Sequence, residues 1–302
     1  MHRSPSPVRN HPNDWLELLL IQSDSSGSQF QQKLAAKVVQ LVEVPPYLLG
    51  ALWKALVLSP PSRCVEEEEY ASLLLNDEFR FQSEIRRDIN RTFPNLKFYI
   101  ELNSLGQSQL FNVLKAYSVY NPEVGYCQGM GFLVGMLLSH LDELDAFNVL
   151  VTLMSKDGEF NMQGLYKPGL PLLNEYLRRL EKMIETEVPR LSDHFTSLGV
   201  ETSMFASQWI LTVFVYNLEW SQAKYMFNLF LLFKMEIVLK FSLYILQKCE
   251  KDLLTMGFEE VLGKVNNMAG VQVSDFMEWL QNRERNSTPE DDIHSSDDSI
   301  SH

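Results

Sequence analysis

The sequence of 302 residues contains few cysteines and few histidines. Its three cysteines form no Cys-x-x-Cys pair and no even, closely spaced set, so we expect reduced thiols in a cytosolic protein and no disulfide framework. The six histidines are scattered, which argues against a metal site. Cys127 has no histidine nearby in sequence to activate it, and we expect it to be a packing residue and not a nucleophile.

Positive charge is also scarce, because 26 Lys and Arg residues face 39 Asp and Glu residues and the formal net charge is −13. Binding to phosphate backbones draws on basic surfaces, so nucleic acid is excluded as a principal partner. Acidic runs at residues 66–69, 290–292 and 297–298 account for part of the imbalance, and we interpret them as solvated loop and tail. An acidic protein of this kind can still recognise a basic patch on another protein.

Nucleotide-binding loops are missing as well. The sequence contains no Gly-x-x-x-x-Gly-Lys-Ser/Thr loop and no Gly-x-Gly-x-x-Gly after a strand-like segment, so we do not expect the protein to bind GTP on its own. The first residues lack the apolar region of a secretory signal. Two uncharged stretches, residues 124–141 and 202–218, approach membrane-spanning length, but their amide, hydroxyl and glycine content favours buried helices.

Helical periodicity dominates what is present, and sustained period-two alternation is hard to find. Apolar residues recur at i, i+3, i+4 and i+7 in two clear sets, which are Leu110, Val113, Leu114 and Tyr117, and Leu173, Tyr176, Leu177 and Leu180. An apolar fraction of 45% suffices for a large core. We therefore predict an all-α fold.

One helical segment carries a charged pattern. Ile85, Asp88 and Arg91 recur at a spacing of three, so they lie along one face of a helix, with the Asp88 carboxylate able to orient the Arg91 guanidinium. Pro94 is expected to end this helix and to leave Arg91 at its C-terminus, at or near the surface. An ordinary surface ion pair, worth under about 1 kcal/mol, is the alternative interpretation of the pattern alone.

A second segment lies about thirty residues further on. After the Asn-Pro turn signal at residues 121–122, four glycines punctuate an apolar run in which Gln128 is the strongly hydrogen-bonding side chain. Its amide offers both a donor and an acceptor, which suits the orientation of a water molecule against a phosphate. A buried glutamine bound to backbone groups is the alternative. Together, a guanidinium and an amide suit charge stabilisation in phosphoryl transfer.

These segments resemble the TBC domain, the catalytic module of GTPase-activating proteins for Rab GTPases. The resemblance covers most of the chain and depends on three motifs in the family's order. The motifs are Ile85-x-x-Asp88-x-x-Arg91-Thr92-Phe93-Pro94, Tyr126-Cys127-Gln128-Gly129-Met130, and the segment from Met204 to Phe214 around Trp209. The resemblance implies a two-lobed, multi-helix fold with a Rab groove between the lobes.

The resemblance also implies a mechanism with two residues supplied in trans. Arg91 corresponds to the arginine finger, which neutralises charge on the transferred phosphoryl group, and Gln128 corresponds to the glutamine finger, which orients the attacking water. Asp88 supports the finger, and Thr92, Phe93 and Pro94 shape the turn after it. The resemblance implies that GTP and Mg²⁺ are carried by the partner, a Rab-type GTPase, and that this protein needs no cofactor of its own.

The chain departs from the family pattern at several positions. Leu49 stands where the family usually has an arginine, Gly131 replaces a common asparagine, and residues 227–234 lack the usual Asp and Glu-Gly pair, with Asn228 and Lys234 in that stretch. We expect these losses to remove buried hydrogen bonds that brace the domain. A noncatalytic Rab-binding or scaffold protein therefore remains the alternative to a GTPase activator.

The predicted organisation has four parts. Residues 1–12 are expected to be disordered, residues 13–37 to form a helical lead-in, residues 38–281 to form the TBC domain, and residues 286–302 to be an acidic disordered tail. The sequence shows no lipidation signal, so we expect a cytoplasmic protein that reaches endomembranes only through its lipid-anchored partner.

Overall fold

The computed structural model describes residues 44–58, 64–76, 79–93 and 105–287. These residues form thirteen α-helices and a short 3-10 helix, Pro46–Leu48, with no strand among them, which confirms the all-α prediction. The predicted disordered N-terminus and lead-in, and Pro94, lie outside the described residues. The helices are α1 (Leu49–Val57), α2 (Glu67–Leu74), α3 (Gln82–Ile89), α4 (Leu105–Tyr120), α5 (Met130–Leu138), α6 (Glu143–Met154), α7 (Gln163–Tyr166), α8 (Pro171–Glu187), α9 (Pro189–Leu198), α10 (Ser203–Thr212), α11 (Trp220–Leu253), α12 (Phe258–Asn266) and α13 (Val273–Ser287).

Helix α4 is the centre of the N-terminal half. It contacts α2, α3, α5 and α6, so the two segments singled out in the sequence both pack near it. The predicted apolar face is confirmed, because Leu110, Val113, Leu114 and Tyr117 are each at most 1% exposed. Each such side chain removes apolar surface from water, and this burial stabilises the fold by about 25 cal/mol per Å².

Helix α11 organises the C-terminal half and also contacts α1 across the molecule. Its 34 residues are interrupted at Lys234, whose φ of 60° and ψ of −154° are not helical. The predicted face of α8 is largely confirmed, since Leu173, Leu177 and Leu180 are buried. None of the helices in the described part of the chain has the length and apolar character needed to cross a membrane.

A buried hydrogen bond joins the two halves. The Trp53 indole nitrogen in α1 donates to the Asn228 side-chain oxygen in α11, 2.7 Å away. The expectation that a missing aspartate removes such a brace is therefore wrong at Asn228, because the asparagine amide still accepts. Leu49, which stands where the family usually has an arginine, is 3% exposed and belongs to the apolar core.

Helix α13 continues to Ser287, so residues 286–287, which the sequence placed in the acidic tail, are helical. The apolar pattern at Val273, Phe276 and Met277 carries α13 onto the core, and all three side chains are buried. The remainder of the predicted tail lies outside the described residues.

Candidate functional site

The turn after α3, residues 90–93, carries the arginine identified in the sequence. Helix α3 ends at Ile89, so the prediction that Pro94 ends it is wrong. Arg91 lies two residues beyond that end, and its predicted position near the surface is confirmed by a side chain that is 51% exposed. Arg91 N–H donates to the Asp88 carbonyl at 3.1 Å, and the Thr92 hydroxyl donates to the same carbonyl at 2.8 Å. These short-range bonds tighten the chain into a turn before any proline is reached.

The Asp88 carboxylate connects the two predicted segments. One oxygen, Oδ1, lies 2.6 Å from Nη2 of Arg91, and the other accepts a hydrogen bond from the Tyr126 hydroxyl. The Asp88 side chain is only 12% exposed, whereas that of Arg91 is 51% exposed. A largely buried carboxylate with two donors is well satisfied, and it contacts one terminal nitrogen of a guanidinium whose side chain is half-exposed.

Ile85 supports this arrangement from within α3, because its side chain is fully buried and anchors the helix to the core. Burial raises the pKa of the Tyr126 hydroxyl, and the bond to Asp88 and that carboxylate's negative charge raise it further. Tyr126 therefore stays protonated and donates to Asp88 at any physiological pH.

Glycines determine the shape of the 121–129 loop. Gly125 has φ of 61°, and a Cβ there would lie 2.5 Å from the Phe81 ring at the start of α3. Gly129 has φ of 105° and precedes α5. Residues with a side chain are disfavoured at both positions. Glycine therefore permits a loop conformation in which Tyr126 reaches Asp88 while Gln128 is exposed.

Two further glycines, in α5, accommodate the 90–93 turn. A Cβ on Gly131 would lie 3.1 Å from the Thr92 hydroxyl oxygen, and one on Gly135 would lie 2.6 Å from the Phe93 ring. Gly131, which replaces the family's usual asparagine, thus removes bulk where the turn packs. Phe93 itself has φ of 51°, an uncommon value for a residue with a side chain.

The third motif, at the end of α10, packs against the end of the 121–129 loop. A Cβ on Gly129 would lie 3.7 Å from a methyl carbon of Thr212 and 3.9 Å from the Cβ of Leu211. The fully buried Tyr166 hydroxyl donates to the Leu211 carbonyl and fixes this helix end. Trp209, the centre of the motif, is fully buried and acts as core.

The environment of Cys127 bears on its reactivity. Burial raises the pKa of the Cys127 thiol, and the negative charge of Asp88 raises it further, which disfavours the reactive thiolate. Within the four described ranges, no group of three or more His, Cys, Asp or Glu side chains could hold a metal ion.

The structure thus brings together most of the residues predicted for the site. Those assembled around Asp88 and α5 are Ile85, Asp88, Arg91, Thr92, Phe93, Tyr126 and Gly129, with Gln128 exposed beside them. Sequence reasoning missed Phe132 and Trp220, whose rings pack edge-on against Phe93 at centroid distances of 5.4 and 5.0 Å. The four-residue spacing of Gly131 and Gly135 was the available signal for a close helix contact.

Comparisons with known sequences identify a family that most of the chain resembles. The model of the Rab-GTPase-TBC domain family matches residues 45–254. The human "Ecotropic viral integration site 5 protein homolog" is 37% identical over 234 residues, 77% of this chain and 28% of that protein. "Rab GTPase-activating protein eat-17" of Caenorhabditis elegans is 41% identical over 182 residues, 60% of this chain and 20% of that protein. The chain thus matches about a quarter of the length of these relatives.

Solved structures show the same fold. The TBC domain of a Chlamydomonas flagellar RabGAP superposes with a TM-score of 0.72 at 25% identity, and the match covers 88% of each chain. The Ypt/Rab-GAP domain of Gyp1p superposes with a TM-score of 0.70 at 18% identity, covering 84% of this chain and 93% of that one.

Proposed function

Because this chain belongs to the Rab-GTPase-TBC domain family, we propose that it accelerates GTP hydrolysis by a Rab-type GTPase. Arg91 supplies positive charge to the transferred phosphoryl group, and Gln128 orients the attacking water. GTP and Mg²⁺ belong to the partner. This protein carries out no bond-making step on a substrate of its own, and its contribution is charge stabilisation and positioning.

The arrangement around Asp88 is the observation that carries this proposal. One carboxylate holds Arg91 and, through Tyr126, the loop that bears Gln128. Two residues from segments about 37 positions apart in sequence are thereby supported on one buried group. A protein that only binds its partner has no evident need to support both side chains.

The Arg91 guanidinium is accessible to a nucleotide bound by the partner. The Arg91 side chain is 51% exposed, so the guanidinium is accessible from solvent while it contacts Asp88. The guanidinium has five N–H donors in a fixed fork. It can therefore keep a bond to Asp88 and present its remaining donors to phosphoryl oxygens.

Gln128 has the exposure that its role requires. The residue is exposed at the end of the 121–129 loop, immediately before Gly129 and α5. Its amide can donate to a phosphoryl oxygen and accept from a water molecule at the same time. Such positioning needs no general base, because phosphoryl transfer depends mainly on orientation and electrostatic stabilisation.

A noncatalytic Rab-binding or scaffold role is the second candidate, and one departure from the family pattern supports it. Lys234 occupies a backbone conformation, φ of 60° and ψ of −154°, that glycine adopts more readily, so the interior of α11 has diverged. The alternative predicts measurable binding to a Rab without any acceleration. We propose that either activity occurs in the cytoplasm and at endomembranes, with recruitment through the lipid-anchored partner.

Single-turnover GTP hydrolysis across a panel of purified Rab proteins, with and without this chain, tests the proposal. At least one Rab should hydrolyse GTP faster by a factor on the order of 10³ or more when the protein is saturating. Equilibrium binding to the same panel, loaded with a nonhydrolysable GTP analogue, is the companion measurement. Binding without acceleration of any Rab would establish the scaffold role instead.

A further inference from the structure

Tyr216, in the segment between α10 and α11, is a large side chain that is anchored at its base and open at its tip. It is 51% exposed, yet its ring packs edge-on against Phe132, with a centroid distance of 5.0 Å and an interplanar angle of 78°. Phe132 is 8% exposed. Within the described ranges, the Tyr216 hydroxyl has no hydrogen-bond partner.

The backbone that presents Tyr216 is closely constrained. Val213 and Phe214 both have positive φ, 51° and 61°, and both are fully buried. Phe214 N–H donates to the Trp209 carbonyl at 2.9 Å, and the Phe214 carbonyl accepts from the N–H groups of Asn217 and Leu218. Two consecutive left-handed residues persist only where the surroundings hold them, so the ring of Tyr216 is presented from a fixed turn.

A row of three aromatic rings connects Tyr216 to the 90–93 turn. Phe132 contacts Tyr216 on one side and Phe93 on the other, where the centroid distance is 5.4 Å. Phe93 follows Arg91 by two residues. A standard interface buries about 800 Å² on each partner, equivalent to a disc of roughly 16 Å radius. The two ring-to-ring steps are shorter than that radius, so an interface centred on the turn extends to Tyr216.

We propose that Tyr216 is a docking residue for the same GTPase that receives Arg91, an inference that rests on the proposed function. Its ring packs against an apolar part of the GTPase surface beside the nucleotide site, and its hydroxyl bonds to a polar group at the rim. Tyrosine is enriched at energetically dominant interface positions because it combines a rigid apolar body with a polar tip.

Continuity with the 90–93 turn selects this occupant. A GTPase that places its nucleotide at Arg91 must cover the surface around the turn, and Tyr216 is the exposed end of the aromatic row that begins at the turn. Phe93 packs edge-on against both Phe132 and Trp220, so the row is held by the core at the end next to the turn. Tyr216 therefore sets affinity, whereas Arg91 and Gln128 set the rate of the bound complex.

The test is a single-turnover titration of Tyr216→Ala against a GTP-loaded Rab that the wild-type protein activates. The half-saturating concentration should rise about tenfold, as expected for loss of an interface tyrosine, while the maximal rate stays near that of the wild type. Tyr216→Phe keeps the ring and should retain most of the affinity. Unchanged thermal unfolding of both variants shows that the fold is intact.

Tyr120→Ala is the matched control. Tyr120 is 38% exposed and also packs edge-on against a buried phenylalanine, Phe147, but Phe147 leads to Tyr70 and not to the 90–93 turn. Its half-saturating concentration should not change. Equal effects of Tyr120→Ala and Tyr216→Ala, or a Tyr216→Ala protein with wild-type titration, would overturn the inference and leave the proposed function standing.

Two other outcomes are informative. A fall in maximal rate with unchanged half-saturation assigns Tyr216 to support of the turn and overturns the docking role. A wild-type protein that neither binds nor activates any Rab overturns the proposed function and the docking role together. Affinity for a Rab loaded with a nonhydrolysable analogue distinguishes that case, because it reports binding independently of hydrolysis.

Discussion

The 90–93 turn and the interruption of α11 at Lys234 both contain a residue with positive φ, but the basic side chain is exposed in the first and bound within the fold in the second. Each contains a non-glycine residue with positive φ, 51° at Phe93 and 60° at Lys234, and each contains a basic residue. The Lys234 ammonium lies 3.1 Å from Glu159, 3.2 Å from the Leu231 carbonyl and 3.7 Å from the centre of the Phe160 ring. The Lys234 ammonium therefore has its partners within the fold.

Arg91 has a different environment. Among the described residues its carboxylate partner is Asp88, and half of its side chain is exposed, against 27% for Lys234. Burial lowers the pKa of Lys234, and the pairing with Glu159 opposes that shift. Backbone strain beside a cation therefore does not identify a functional site by itself. Arg91 differs from Lys234 in the exposure of its charge and in the support that a second segment gives to its partner Asp88 through Tyr126.

Removal of the arginine should give the largest effect. Arg91→Ala is expected to lower the maximal rate of stimulated GTP hydrolysis by roughly 10³ or more, the usual value of an arginine finger. Arg91→Lys should recover little, because a compact ammonium cannot reproduce the planar fork. Single-turnover kinetics at saturating protein measure both. A Lys234→Ala protein is the control cation deletion, and an equal rate loss there would erase the comparison.

Removal of the amide comes next. Gln128→Ala should lower the maximal rate by about 10², the order lost when one positioned hydrogen-bonding group is deleted from a reacting centre. Because Gln128 is exposed, the thermal unfolding midpoint should not change. A variant that hydrolyses GTP at the wild-type rate would remove Gln128 from the mechanism.

Asp88→Asn tests the shared support. The substitution keeps the side-chain shape but removes the charge that holds Arg91, so the maximal rate should fall by about 10 to 10², as expected when a catalytic group is misplaced. Tyr126→Phe deletes only the hydroxyl and should cost about 1 kcal/mol of unfolding free energy. If Asp88→Asn activates a Rab as well as the wild type, the carboxylate does not position Arg91.

Gly135→Ala should disturb the packing of the turn. The added Cβ would lie 2.6 Å from a Phe93 ring that Phe132 and Trp220 already confine, so we expect a loss of about 1 to 3 kcal/mol in unfolding free energy. Gly263→Ala in α12 is the matched control, because nothing lies within 4 Å of its Cβ position. It should stabilise the protein by about 0.5 to 1 kcal/mol, and destabilisation by both variants would contradict the steric account.

The strain at Lys234 should give the smallest net effect. Lys234→Gly relieves the backbone but loses the contacts of the ammonium, so these contributions nearly cancel and the unfolding free energy should change by less than about 1 kcal/mol. Lys234→Ala loses the contacts and keeps the strain. Denaturant unfolding should therefore find the glycine variant more stable than the alanine variant by about 1 to 3 kcal/mol. Equal stabilities would mean that Lys234 stores no strain.

Local periodicity was sufficient to predict the helical core. The buried face of α4, with Leu110 and Tyr117, follows directly from apolar spacing. The end of α3 did not follow, because it depends on the Thr92 hydroxyl and on packing against α5, and the spacing of apolar residues encodes neither. Hydrogen bonds between residues far apart in sequence could not be predicted either. The bond between Trp53 and Asn228 joins residues 175 positions apart, and no local pattern encodes it.

The candidate site was predictable in membership and not in construction. The resemblance to the TBC family singled out Arg91, Gln128 and Asp88, and the Ile-x-x-Asp-x-x-Arg spacing correctly paired the last of these with Arg91. The role of Tyr126 as the link between the two segments required the fold, since a tyrosine beside a cysteine carries no such information. The wedge of Phe93 against Phe132 likewise depends on how α5 packs.

The central claim is that Asp88 holds Arg91 ready for charge that develops on a partner's phosphoryl group. Its most direct test is affinity for a Rab loaded with GDP alone or with GDP and aluminium fluoride, which imitates the transferring phosphoryl group. The account predicts that fluoride tightens binding of the wild-type protein by at least about 10² and that Arg91→Ala abolishes this gain. Binding that is indifferent to fluoride, or a gain that persists in Arg91→Ala, would contradict it.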